Sequence, residues 1–290
     1  MQPNADGVRK VLVAGAGAMG SQIGAIFAFA GYETTVQDIY QSMLDNAHGE
    51  LRSRLDRNVE KGRMSAEQVE DAFNNLTFTT DMEEPARSAD LVVEAIVEKL
   101  DVKRELFSRL DSLAPEHAIL ATNSSTIVSS RIADATNRPD KVCNLHFFNP
   151  ALVMECVEVV RNPETSDATV DTAVEVARRI GKAPVVLDKE ISGFIANRIL
   201  GALTDEAVSL YENGYASFED IDTACKKALG HPIGPFALMD LTGIDVNYYV
   251  RMARYEETSD ENQRPKQSVV ERFERGEYGR KSGKGWYEYR

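Results

Sequence analysis

Four histidines occur in the 290 residues, and one of them stands where it could move a proton. His146 closes an apolar run, Leu145-His146-Phe147-Phe148-Asn149-Pro150, that reads as the carboxyl end of a strand. In open α/β sheets ligands bind at the carboxyl ends of the strands. His48 and His117 lie in polar helical or turn contexts and read as solvated, and His231 precedes Pro232 in a turn. Glu158 adds weight to His146. It sits inside Val157-Glu158-Val159-Val160, where an unpaired carboxylate would be costly to bury, and a histidine twelve residues earlier is a natural partner. A carboxylate on one ring nitrogen fixes the tautomer and raises the basicity of the other. Such a base could take the proton of an alcohol that loses hydride. The alternative is a histidine satisfied within a core, and pattern alone leaves both open. Two further polar spots stand out. Asn123-Ser124-Ser125-Thr126 follows another strand, and Asn197 lies in the apolar segment Phe194-Ile195-Ala196-Asn197-Arg198, as a site residue or as a helix's polar face.

A second constellation lies near the amino terminus. Gly15-Ala16-Gly17-Ala18-Met19-Gly20 follows an apolar strand, 11–14, and opens a helix. Gly15 permits the tight turn, Gly17 lets the backbone approach a pyrophosphate, and Gly20 lets helix and strand pack closely. The helix N-terminus offers N–H groups and a partial positive charge to phosphates. Asp38, eighteen residues beyond Gly20, ends the second strand, where a carboxylate accepts hydrogen bonds from ribose hydroxyls and repels a 2′-phosphate. The expected cofactor is therefore NAD rather than NADP. The loop does not say which chemistry follows.

These elements need a scaffold, and the chain is long enough for two domains. Strands are expected at 11–14, 34–38, 76–78, 91–94, 118–122, 142–146, 157–160 and 184–187, alternating with helices at 21–30, 102–113 and 167–180. Residues 41–74 read as a helical hairpin, interrupted at Gly62, that projects from the sheet. Beyond Lys189 the pattern turns wholly helical, with helices expected at 194–213, 218–229, 235–254 and 268–275 and a mobile polar loop at 256–267. The reading is an α/β fold: a Rossmann-type doubly wound sheet over 1–190 and an all-helical domain over 191–290.

Composition narrows the partners. The net charge of −13 argues against nucleic acid and anionic membranes. No run approaches the ~18 apolar residues of a membrane span, and residues 1–10 are polar and lack the look of a leader. A cytoplasmic protein is expected. Cys143, Cys156 and Cys225 sit among apolar residues without the close spacing of a zinc or redox motif, so they read as reduced core residues, and no metal is expected.

The chain resembles the L-3-hydroxyacyl-CoA dehydrogenases, including the bacterial 3-hydroxybutyryl-CoA dehydrogenases, over nearly its whole length. The resemblance rests on Gly15–Gly20, Val93-Glu-Ala-Ile-Val-Glu98, Asn123-Ser-Ser-Thr126 and His146-Phe-Phe-Asn-Pro150. It continues in Gly193-Phe-Ile-Ala-Asn-Arg198, Gly234-Pro-Phe with Asp240, and Lys281-Ser-Gly-Lys-Gly-Trp-Tyr287. It implies reversible oxidation of a (3S)-3-hydroxyacyl-CoA, with His146 as base and Glu158 as its orienting carboxylate. Ser125 and Asn197 would hold the substrate hydroxyl, and Asn149 would lie near the nicotinamide and acyl carbonyl. Cofactor contacts would fall on the glycine loop with Ala18 and Met19, and on Asp38, Glu98, Lys103, Ser125 and Lys281. Coenzyme A contacts would fall on Arg54 and Lys61 of the hairpin. The resemblance also implies a site between the domains and a homodimer through the helical domain. Two positions depart from it: Leu152 stands where the family usually has proline, and Glu155 where lysine or proline is common. The departures bear on acyl preference more than on reaction type. Rival readings are a sugar-acid dehydrogenase of the gulonate type on the same fold, which lacks the Phe147-Phe148 pair, and a non-catalytic NAD-binding protein, which would be free to lose the base.

Overall fold

A computed structural model describes residues 7–289; residues 1–6, where most of the polar amino-terminal stretch falls, and Arg290 lie outside the described residues. The chain divides into two compact units, Met1–Phe194 and Ile195–Arg290.

The first unit is built on eight strands: β1 (Lys10–Ala14), β2 (Glu33–Gln37), β3 (Leu76–Thr79), β4 (Leu91–Glu94), β5 (Ile119–Thr122), β6 (Val142–Phe147), β7 (Cys156–Arg161) and β8 (Ala183–Leu187). They form one sheet in the order β3-β2-β1-β4-β5-β6-β7-β8. The order reverses at β1, so the carboxyl ends of β1 and β4 diverge around a crevice. Neighbouring strands run parallel except β6 and β7. That pair departs from the parallel expectation because residues 148–155 are too few for a crossover helix, and the chain can only turn back.

Helices cover both faces: α1 (Ala18–Phe29), α2 (Gln41–Glu60), α3 (Ala66–Asn74), α4 (Glu83–Ser88), α5 (Leu100–Leu113), α6 (Ser130–Ala133) and α7 (Asp167–Arg179). Val11, Val13, Val93, Leu145 and Val157 pack with α1, α2, α3 and α7. The alternate residues Leu12, Ala14, Val92 and Leu120 pack with α4, α5 and α6. Burial on both faces is why these strands read as unbroken apolar runs. The hairpin α2–α3 turns at Gly62, whose φ of 65° is left-handed. A capping box of Ser65 and Gln68 starts α3. The hairpin does not stand clear: Leu44, Ala47, Leu51 and Leu55 bury one stripe of α2 in the sheet's core.

The second unit comprises α8 (Ala196–Glu212), α9 (Phe218–Ala228), α10 (Pro235–Thr242), α11 (Ile244–Thr258) and α12 (Gln267–Glu274). The single helix expected over 235–254 is two helices. Gly243, at φ 106°, breaks the ladder, and a Cβ there would meet the Asp245 carboxylate. The loop expected over 256–267 is shorter, since α11 runs on to Thr258 and a 3-10 turn fills Glu261–Gln263. Phe236, Met239, Ile244, Val269 and Trp286 form the core, ringed by Tyr211 and Phe218. Two fully buried carboxylates organise it. Asp222 accepts the N–H groups of Phe236 and Ala237 at 2.8 and 3.0 Å, capping α10 from a distance. Asp240 accepts the N–H groups of Trp286 and Tyr287, each at 2.8 Å, and the Tyr289 hydroxyl at 2.9 Å. Among the described residues no helix is long and apolar enough to cross a membrane.

Candidate active site

The glycine loop leaves β1 at the crevice. The Gly15 N–H donates to the Gln37 carbonyl at 2.7 Å, and its φ is 106°. A Cβ at Gly15 would lie 2.6 Å from the Ala95 carbonyl oxygen, and one at Gly20 would strike the Gly15 carbonyl. Glycine is therefore required at both positions for packing. Gly17 is different: no atom stands within 4 Å of its missing Cβ, so its backbone faces open space. Gly17 is also the N-cap of α1, and Ala18 and Met19 form its first turn. The first-turn N–H groups are thus left to a phosphate. Asp38 lies beside the loop, with Oδ2 accepting the Ala16 N–H at 2.9 Å and Oδ1 the Tyr40 N–H at 3.1 Å. Room at Gly17, first-turn donors and a fixed carboxylate together fit an adenine dinucleotide with free ribose hydroxyls.

Three strands from β1, the antiparallel pair sets His146 directly opposite Glu158. The His146 Nδ1 and Glu158 Oε2 are 2.8 Å apart, with side chains 6% and 1% exposed. An ionised carboxylate only accepts, so in a neutral ring paired with one the hydrogen sits on Nδ1 and the lone pair on Nε2. Rings of Phe148 and Phe194 stand 4.5 and 5.3 Å from the imidazole, centroid to centroid, and shield it from water. The Phe147 N–H donates to Asn123 Oδ1 at 2.9 Å, tying the end of β6 to the loop after β5.

That loop carries Ser125, and Glu98 grips it. Glu98 Oε1 accepts the hydroxyls of Ser124 and Thr126, the latter at 2.7 Å, while Oε2 lies 3.1 Å from the Lys103 ammonium. Burial pushes the Glu98 carboxyl up, but Lys103 and the two hydroxyls outweigh it and hold Glu98 below the ordinary range. Lys103 is itself buried and pairs with Glu94 at 2.6 Å. Glu94 also accepts the Ile96 N–H at 2.8 Å and the Thr122 hydroxyl at 2.7 Å. Asn144, fully buried in β6, accepts the Ser129 N–H and donates to the carbonyls of Ser124 and Ile127. The Ser125 carbonyl accepts the Gly193 N–H at 3.1 Å.

The structure thus brings His146, Glu158, Ser125, Glu98, Lys103, Asp38 and the glycine loop into the first unit's ligand edge. Asn149 is exposed just beyond β6. Arg54 lines a cleft of about 520 Å³ beside Ala18 and Ser21, whereas Lys61, the C-cap of α2, is not among its lining residues. Asn197 stands in the first turn of α8, and Lys281 pairs with Asp245 at 2.6 Å, both within the second unit. Of the cysteines, Cys143 is fully buried with its thiol pushed up to about 12 by burial, while Cys156 is only partly covered. Sequence reasoning missed Glu94 and Asn144. Both interrupt apolar strands, Leu91-Val-Val-Glu94 and Val142-Cys-Asn144-Leu, which is the same signal that singled out Glu158.

Residues 10–191 match the family described as 3-hydroxyacyl-CoA dehydrogenase, NAD binding domain, and residues 193–289 match its C-terminal domain. The chain is 40% identical to the human mitochondrial hydroxyacyl-coenzyme A dehydrogenase, covering 98% of this chain and 92% of that protein. It is 38% identical to a 3-hydroxybutyryl-CoA dehydrogenase of Clostridioides difficile, covering 97% and 99%. Among solved structures, the (S)-3-hydroxybutyryl-CoA dehydrogenase of Ralstonia eutropha superimposes with a TM-score of 0.89 at 34% identity, covering 98% and 99%. With both family domains present and the cofactor loop intact, the chain belongs to the NAD-dependent 3-hydroxyacyl-CoA dehydrogenase family.

Proposed function

We propose that the protein interconverts (3S)-3-hydroxyacyl-CoA and 3-ketoacyl-CoA, with preference for the four-carbon 3-hydroxybutyryl and acetoacetyl esters, and that His146 is the base. The observation that carries this reading is the buried Nδ1–Oε2 contact of His146 and Glu158, at the same sheet edge as the dinucleotide loop. Bound at the glycine loop and Asp38, NAD would supply the hydride acceptor for C3 of the substrate, and NADH the donor in the reverse direction. His146 Nε2 takes the C3 hydroxyl proton, and the imidazolium so formed is stabilised by the opposite charge of Glu158. Ser125 and Asn197 hold the hydroxyl, so that its proton points at Nε2. Asn149 orients the acyl carbonyl and the nicotinamide, and Asp38, Glu98 and Lys103 serve the cofactor side, with Lys281 from the second unit.

Arg54 and Lys61 are assigned to coenzyme A. The cleft beside Arg54 supports the first assignment. The short-chain preference is supported by relatives named 3-hydroxybutyryl-CoA dehydrogenase at 36–38% identity. Initial rates with C4 to C16 3-ketoacyl-CoA esters, each with NADH and NADPH, test the whole reading. Highest kcat/KM for acetoacetyl-CoA with NADH is expected, and equal rates on gulonate would overturn it.

A homodimer through the helical unit belongs to the same reading. Ile199, Val246 and Tyr249 leave large apolar side chains exposed there, at 65%, 47% and 60%. Sedimentation of the purified chain should give twice the 32.1 kDa mass. We place the protein in the cytoplasm, which cell fractionation would check.

A further inference from the structure

The cleft beside the cofactor helix has a feature that the catalytic reading does not use. Gln22 on α1 is 9% exposed, and its amide is fixed in one orientation by three partners. Nε2 donates to the Ala18 carbonyl at 2.7 Å. Oε1 accepts the Leu152 N–H and the Arg54 Nη1–H, each at 3.3 Å. One side chain thus ties together α1, α2 and the turn between β6 and β7 that follows Asn149. The link to the turn needs a backbone N–H at position 152, which proline would lack.

Around this junction lies the cleft of about 520 Å³, lined among others by Ser21, Gln22, Glu50, Ser53, Arg54 and Arg57. Its size suits part of a nucleotide. Two guanidinium groups against one carboxylate leave it net positive, in a chain whose total charge is −13. Arg54 spends one N–H on Gln22, and a guanidinium has five, so the others remain for phosphate oxygens. An arginine whose guanidinium is already held through one Nη1 loses less freedom when it meets the ligand.

We propose that Gln22 is a specificity-determining positioning residue: it holds Arg54 over this cleft, so that the cleft takes the phosphate-bearing end of the thioester substrate. This rests on the proposed acyl-CoA activity. Gln22 acts through Arg54 and not on the reacting atoms, so its effect falls on KM and not on kcat.

The test is steady-state kinetics of the full chain with acetoacetyl-CoA and with acetoacetyl-N-acetylcysteamine, a thioester without phosphates. Wild type, Gln22→Met, Arg54→Met and the double variant are compared. The wild type should favour the coenzyme A ester by at least about tenfold in KM. Gln22→Met should raise the KM for acetoacetyl-CoA about three- to tenfold while kcat, the KM for NADH and the KM for the truncated thioester all hold within about twofold. In the KM for acetoacetyl-CoA the double variant should be no worse than Arg54→Met alone, since the Arg54 contact through which Gln22 would act on that KM is already gone there. An unchanged KM for acetoacetyl-CoA in Gln22→Met, or additive losses in the double variant, would overturn the assignment. A rise confined to the KM for NADH would give the cleft to the cofactor and overturn it equally. If the wild type did not distinguish the two thioesters, the coenzyme A reading itself would fall, and this inference with it.

Discussion

Asp38 and Ala16 stand 22 residues apart in sequence, and the carboxylate of one holds the amide of the other at 2.9 Å. The same carboxylate takes the Tyr40 N–H through its second oxygen. The residue expected to read the ribose therefore also fastens the glycine loop, while each oxygen retains a lone pair for a hydroxyl. Asp38→Ser removes the negative charge and the tether together. It should raise the KM for NADH roughly tenfold, about 1.4 kcal/mol, and narrow the preference over NADPH. Paired kinetics with the two cofactors measure both effects, and an unaltered preference would mean that Asp38 does not read the ribose.

His146→Gln and Glu158→Gln should each lower kcat by about 10²–10⁴-fold, the range of a positioned acid–base group, with NADH affinity held within about twofold. Stopped-flow hydride transfer and fluorescence titration separate the two quantities. Turnover that survived both changes would show that the proton goes elsewhere.

Glu98 supplies a pH dependence with a definite sign. Its folded value lies below the ordinary 4.5, so as pH falls the unfolded chain takes up the proton first. The stability it contributes is complete above that ordinary value and is lost as pH drops through the folded one. Urea midpoints measured between about pH 3 and 7 should therefore fall less steeply at the acid end in Glu98→Gln than in the wild type. Parallel profiles would show that Lys103, Ser124 and Thr126 do not bias this carboxyl.

Asp240→Asn tests the second unit. The carboxylate is fully buried and holds three donors, two of them backbone N–H groups near the end of the chain. An amide offers one acceptor where two oxygens stood. The loss should be about 3 kcal/mol, in line with breaking a buried charge-assisted network. Trp286 is the only tryptophan and donates one of those bonds, so its fluorescence reports the transition directly. A midpoint shared with the wild type would mean that the network adds nothing.

The sheet was legible because strands buried on both faces must be apolar throughout, and because Gly15 and Gly20 have no room for a side chain. His146 and Glu158 were legible for a related reason: a carboxylate inside such a strand needs a partner. The same logic reaches Glu94 and Asn144. Other features were hidden. The reversal of β7 follows from the length of the 148–155 turn and not from the composition of the strand. Gly243 breaks a helix that its neighbours' apolar spacing would continue. Gln22 gives no signal at all, because its partners Arg54 and Leu152 lie 32 and 130 residues away and meet it only in the fold.

The reversed strand has one more consequence. Side chains of a strand alternate between faces, so sliding β7 past β6 by a single position would carry Glu158 to the opposite side of the sheet from His146. The His146–Glu158 contact is stored as a phase relation between two strands, and one residue added to or removed from the 148–155 turn is enough to shift it. Such an indel would leave the cofactor loop, the crevice and most of the core as they are. It would yield a protein that still holds NAD but in which His146 faces no carboxylate.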